Sequence, residues 1–382
     1  MNDARRRRSA KQARRDARRA RKRQSITAND DSLIATIRHT LADHPIKILR
    51  MASYVISRCT SDDAGLLELM INHLVDRRCR ETTALLAVFA ALLVDDDALR
   101  ELCRQEVSTR HDHLPKWIRG LPHVAAPRAV RRADVLGDGD ELAIGLVLAD
   151  ANELTLSGYL DHTMLSMVTA VEVVADPLDE ALDRGRQRID PATKFVEMDP
   201  ADARTWMERG LDRSECMRRS DEWRQALPLV RWMIAQLPGG GAPYEMPNWD
   251  DDAVFELLDG FLSSSAGAPF AAVDYRDCLR QLCDSGSGDP RRWSASRIST
   301  ILRHPTAYVD VPLEIALDVP ALLRAHVPFA HADSGIRQDL TDEAIATIDE
   351  LGLRYRRRLL DDASDHDGML PPPWQSYPDR VS

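Results

Sequence analysis

At Pro122 the spacing of apolar residues changes, and this constrains the fold more than any other feature of the chain. From Leu33 to about Leu121 the apolar positions recur at helical intervals, as in LIATIRHTLADHPIKILRMASYVISRC, with Pro45 as a break. Beyond Pro122 the period drops to two. AVRRADVL, ELAIGLVLAD, NELTLSGYLDH and MVTAVEVVA read as successive strands, punctuated by the hairpin-like GDGD (Gly137–Asp140) and ADANE (Ala149–Glu153). TKFVEMD reads as one further short strand, and the segments around Trp206 and Trp223 return to helical spacing. LPGGGAPYEMPNWDDD (Leu237–Asp252) has glycines, prolines and acids but no period. A second helical region follows it.

The expected fold is therefore α+β and mostly helical. It has a helical N-terminal region, a small antiparallel sheet near residues 128–175, and a second helical region after a Gly/Pro-rich linker. The expected division is residues 1–30 as a basic arm, 31–237 as helices, sheet and further helices, and 238–252 as linker. Residues 253–360 form the C-terminal helical region, and 361–382 a disordered tail that includes PPPW.

The arm sets the electrostatics. The chain carries 51 basic and 61 acidic side chains, yet the first 24 residues hold twelve Arg or Lys and two Asp. The rest keeps 39 basic against 59 acidic residues, so a leader of about +10 precedes a body of about −20. Arg5, Arg6, Arg7, Arg8, Lys11, Arg14, Arg15, Arg18, Arg19, Arg21, Lys22 and Arg23 are the candidate nucleic-acid-binding residues. Their chemistry fits RNA or DNA phosphates, with an acidic protein surface as the other class of partner. The arm lacks the Leu, Phe or Trp face that an interfacial helix buries, which disfavours membrane docking. A body so acidic is a poor nucleic-acid surface, because it repels phosphate.

Six cysteines with no CxxC spacing exclude a disulfide scaffold and point to reduced thiols in a cytoplasmic protein. No signal peptide is expected, since no apolar stretch follows the charged start. The longest apolar run, Ala84–Val94, is too short to cross a membrane.

Few residues suggest chemistry. Asp161 and His162 in YLDHTML are the catalytic candidates, as an acid/base pair among apolar strands. Neighbours on a strand point to opposite faces, however, which works against a bond between them. His111 and His113 form an HxH pair without a third ligand, so no metal site and no cofactor are expected. Asp95–Asp97, Asp199 and Asp250–Asp252 sit where helices begin or end, so capping explains them more simply than Mg²⁺ binding. Walker A, GxGxxG, HExxH and GxSxG patterns are absent.

Three segments, Leu156–Leu182, Gly288–Leu302 and Val319–Ile336, resemble parts of a family of uncharacterised actinobacterial proteins, over roughly Ala125–Tyr355. The resemblance implies a GC-rich bacterial cytosol, which the Arg-over-Lys bias also suggests. It brings no activity and no catalytic residue. The functional expectation is a non-enzymatic accessory or regulatory protein tethered to nucleic acid by the arm. The alternatives are an enzyme of unrecognised type, such as a hydrolase, acting near Asp161 and His162, and a protein–protein interaction module.

Overall fold

The computed structural model describes residues 31–62, 64–187, 193–215, 220–305 and 309–365. The arm and its twelve basic side chains lie outside the described residues. So do residues 366–382 of the expected tail.

The change of period at Pro122 becomes a change of architecture, and the fold is mostly helical α+β. Six helices come first: α1 (31–42), α2 (Ile46–Asp62), α3 (Ala64–Asp76), α4 (Arg80–Leu92), α5 (Asp97–Ser108) and the short α6 (Lys116–Gly120). The apolar run of Ala84–Val94 is largely the buried helix α4, packed on its neighbours through Leu85, Leu86 and Phe89. Asp96 caps α5 by accepting from the Leu99 amide, so this acid of the cluster has a structural task.

Strands β1 (Ala125–Ala133), β2 (Gly139–Val147), β3 (Glu153–Asp161), β4 (Met167–Val174) and β5 (Lys194–Met198) follow. They form one sheet in the order β4-β3-β2-β1-β5, with every neighbouring pair antiparallel. Alternation decides what each face buries. Leu142, Ile144 and Leu146 of β2, with Leu154, Leu156 and Leu160 of β3, join the core built by the N-terminal helices. On the opposite face Val130 and Ala143 meet Leu178 and Leu182 of α7 (Leu178–Arg186).

Two more helices close the first core: α8 (Pro200–Ser214), capped by Asp199, and α9 (Asp221–Ala235), capped by Ser220. Gly210 lets α8 come close to the sheet, since a Cβ there would stand 2.7 Å from Val168 Cγ2. Pro228 interrupts the hydrogen-bond ladder of α9, and Ser53 of α2 enters the gap. Its hydroxyl donates to the Gln225 carbonyl at 2.6 Å and accepts the Leu229 amide at 3.1 Å.

Residues 238–250 carry no helix or strand. They lie along α8, which holds them at three points, Thr205 to the Gly241 carbonyl, Asp202 to the Ala242 amide, and Trp206 Nε1 to the Ala242 carbonyl, while Arg204 holds the preceding Leu237 carbonyl. The chain then enters a second core of α10 (Asp251–Leu262), α11 (Val273–Cys283), α12 (Ala295–Arg303), α13 (Leu313–Ser334) and α14 (Gln338–Asp365). Helix α14 continues past residue 360, where a disordered tail was expected. Leu359 and Ala363, four residues apart on one face, are both buried and extend its apolar stripe.

The second core is organised around a buried cation. Arg297 is 1% exposed. Its guanidinium donates to Ser285 Oγ and to the carbonyls of Leu282, Cys283, Asp289 and Arg292, and lies 3.9 Å from the centroid of the Trp293 ring. Among the described residues no helix is long and apolar enough to cross a membrane.

Candidate functional site

Asp161 ends β3 and turns to one side. Its Oδ1 accepts from the Thr163 amide at 3.0 Å and from Thr163 Oγ1 at 2.6 Å, capping a short 3-10 turn, His162–Met164. His162 turns to the other side and is 2% exposed. The adjacent candidates are therefore not partners, as strand alternation implies.

The partner of His162 is Asp140, 22 residues earlier, with Nε2 to Oδ2 at 2.9 Å. The β2–β3 register pairs Gly139 with Asp161, which brings Asp140 alongside. Its other oxygen, Oδ1, lies 2.9 Å from Nε of Arg131. If Asp140 is ionised it can only accept, so Nε2 of His162 donates, and in a neutral imidazole Nδ1 is left to accept. Ser166 supplies that proton, its Oγ 2.9 Å from Nδ1. The result is an Asp140–His162–Ser166 relay.

The turn that delivers Ser166 is strained. Leu165 and Ser166 have φ of 58° and 57°, a region side-chain-bearing residues rarely adopt. Helix α8 holds the turn, with Arg213 donating to the Leu165 carbonyl at 2.6 Å and Ser214 to the Val168 carbonyl at 2.8 Å.

The relay is closed. Asp140 is 1% exposed and Ser166 2%. Tyr244, from the irregular stretch along α8, lies flat on the His162 ring at 3.9 Å between centroids and 5° between planes. Trp206 meets Tyr244 edge-on at 4.8 Å, and the Arg131 guanidinium sits 5.2 Å from the Trp206 ring centroid. A satisfied polar network of this kind fixes a unique packing. Nucleophilic chemistry would further require a reactant to reach Ser166.

Asp161 belongs to different surroundings. It lines a cleft of about 390 Å³ with Asp134, Asp138, Glu141 and Tyr159 of the sheet region, opposite Ser296 and Leu340 of the C-terminal helices. Asp138 is the buried carboxyl here. Burial pushes it up to about 6, with Asp134 and Asp161 adding to the rise, against a hydrogen bond from Ser294 and the charge of Arg297. Burial also raises the Tyr159 phenol above its usual range, with the same two acids contributing.

His111 and His113 are exposed between α5 and α6. Among the described residues no group of three His, Cys, Asp or Glu side chains is placed to hold a metal ion. Sequence reasoning singled out His162 but missed Asp140, Ser166 and Tyr244. Asp140 stood in a turn motif, and Ser166 lay four residues from the histidine with no glycine to mark the turn. Tyr244 fell in a stretch without period. Comparison with family models, curated proteins and solved structures gives no match.

Proposed function

We propose that the chain is a non-enzymatic accessory protein of an actinobacterial cytoplasm, held on RNA or DNA by its Arg-rich leader. The observation that carries this reading is charge segregation: twelve basic residues in the first 24, ahead of a body with an excess of about 20 acids. The body's own cations are largely committed. Arg38, Arg110, Arg128, Arg231, Arg280 and Arg324 each pair with acids of the same body. Phosphate binding thus falls to the leader. The cytoplasmic placement is supported by five described cysteines that are all free.

The test measures binding of a short duplex and of a single-stranded RNA by the full chain. It is compared with a full-length variant whose twelve leader bases are replaced by Gln. If about six phosphates are contacted, affinity falls on the order of a thousandfold between 50 and 200 mM salt, and the variant loses it. Equal affinities, or indifference to salt, overturn the proposal. A change of oligomeric state in the variant without any nucleic-acid binding supports the interaction-module reading instead.

A second reading, hydrolysis with Ser166 as nucleophile and His162 as base, is favoured by the relay alone. It requires Tyr244 to leave the imidazole. A fluorophosphonate probe that labels the native chain, and not Ser166→Ala, supports it. Failure to label both the native chain and Tyr244→Ala excludes it.

A further inference from the structure

Asp138 sits in the β1–β2 turn, facing the loop that precedes α12. It is 8% exposed and lines the acidic cleft; beside the hydrogen bond from Ser294, its Oδ1 is buried with no hydrogen-bond partner. A buried carboxylate oxygen without a donor is costly, and an arriving donor recovers that cost. The described cations near it are already paired, including Arg132, which itself lines the cleft. Arg132 pairs with Glu141, and Arg292 pairs with Asp289. Arg297 gives its protons to Ser285 and four carbonyls. Among the described residues, the cations near Asp134, Asp138 and Asp161 are thus already paired.

The chemistry of the walls selects the missing donor. Among the described residues no three-ligand metal cluster exists, which argues against a divalent ion. Carboxylates beside a tyrosine ring and an apolar wall at Leu340 suit a planar, multi-donor cation, which can bridge two acids and stack.

We infer that this cleft binds a guanidinium group, with Asp138 as its buried acceptor and Asp134 and Asp161 as flanking acids. The inference goes beyond the leader's role on nucleic acid. Two sources offer the group: a free small cation, or an arginine of the leader itself. Residue 31 is eight positions beyond Arg23, about 26 Å of fully extended chain, and Arg5 adds about 60 Å more.

The test is calorimetric titration of L-argininamide into the full chain and into the full-length variant with its leader bases replaced by Gln. One saturable site is expected, with affinity at least tenfold weaker in Asp138→Asn. At pH 6 binding releases a proton, seen as an enthalpy that depends on the buffer, and Asp138→Asn abolishes that dependence. Ser296→Arg, a change at an exposed position across the cleft, fills the site with a tethered guanidinium and removes binding without touching the buried acid. Tighter binding to the leader variant than to the native chain identifies the leader as the occupant. Equal binding identifies a free cation. No binding in either chain, binding unchanged by both Asp138→Asn and Ser296→Arg, or one-to-one Mg²⁺ binding in place of argininamide overturns the inference.

Discussion

The phenol ring of Tyr244 lies parallel to the His162 imidazole, with 3.9 Å between centroids and 5° between planes. This contact joins the irregular stretch along α8 to the relay at the end of β3. Tyr244→Ala removes the stack and the edge contact from Trp206. It is expected to cost about 1–2 kcal/mol and to make His162 reactive toward diethylpyrocarbonate. Peptide mapping of the modified histidines checks this, and protection equal to native would show that something else covers the ring.

Leu165 offers a test of backbone strain separated from packing. Its side chain is 66% exposed and its φ is 58°. Asn tolerates this conformation better than Leu, so Leu165→Asn is expected to stabilise the fold by about 0.5–1 kcal/mol. A shift of the urea midpoint with unchanged slope reads it out. Ser166→Ala, next in the chain, is expected to act in the opposite direction, because it removes the donor to His162 Nδ1.

The joint between α2 and α9 gives a third prediction. Ser53 is nearly inaccessible and bridges Gln225 and Leu229 across the gap made by Pro228. Ser53→Ala leaves both backbone groups buried and short of a partner, at a cost of about 1–3 kcal/mol. Ser53→Cys keeps a weak donor and is expected to cost less. Thermal unfolding of the pair ranks them.

The pH dependence has a fixed sign. Burial lowers His331 from 6.5 to about 4 and His326 from 6.5 to about 3. His331 is built for the neutral form: Nε2 accepts the Trp293 amide and Nδ1 faces Thr341 Oγ1. The unfolded chain binds more protons at these sites below pH 6.5. Their stabilisation is thus complete above that value and fades as pH falls toward 4. Asp138, raised from 3.8 to about 6, works in the opposite direction, favouring the fold at low pH and losing that contribution as pH rises through 6. Denaturant midpoints between pH 7 and 4.5 should fall in the native chain. They should fall less in His331→Gln and more steeply in Asp138→Asn.

The sheet was legible because the large apolar residues of β2 and β3 recur at every second position, even though β2 is buried on both faces. Leu142, Ile144 and Leu146 could share only one face, and the turns between strands carried Gly and Asp. Helix starts at Asp96, Asp199 and Ser220 were legible through their caps. The relay was hidden for a physical reason. Asp140 reaches His162 through hairpin register, and register is a property of two strands rather than of a local motif. The Leu165–Ser166 turn is left-handed without glycine, held by Arg213 and Ser214 from a helix far along the chain. Tyr244 carried no signal, since residues pinned by a neighbouring helix need no period of their own. The end of α14 was misjudged because the acids after Leu360 masked the buried Ala363.

The stretch from 238 to 250 carries the backbone from the first apolar core to the second, and it is also the cover over His162. Tension carried along the backbone from the C-terminal helices passes Tyr244 before it reaches α9. The imidazole therefore sits at the first place where such a pull would be registered, like a gauge mounted on the coupling between two carriages.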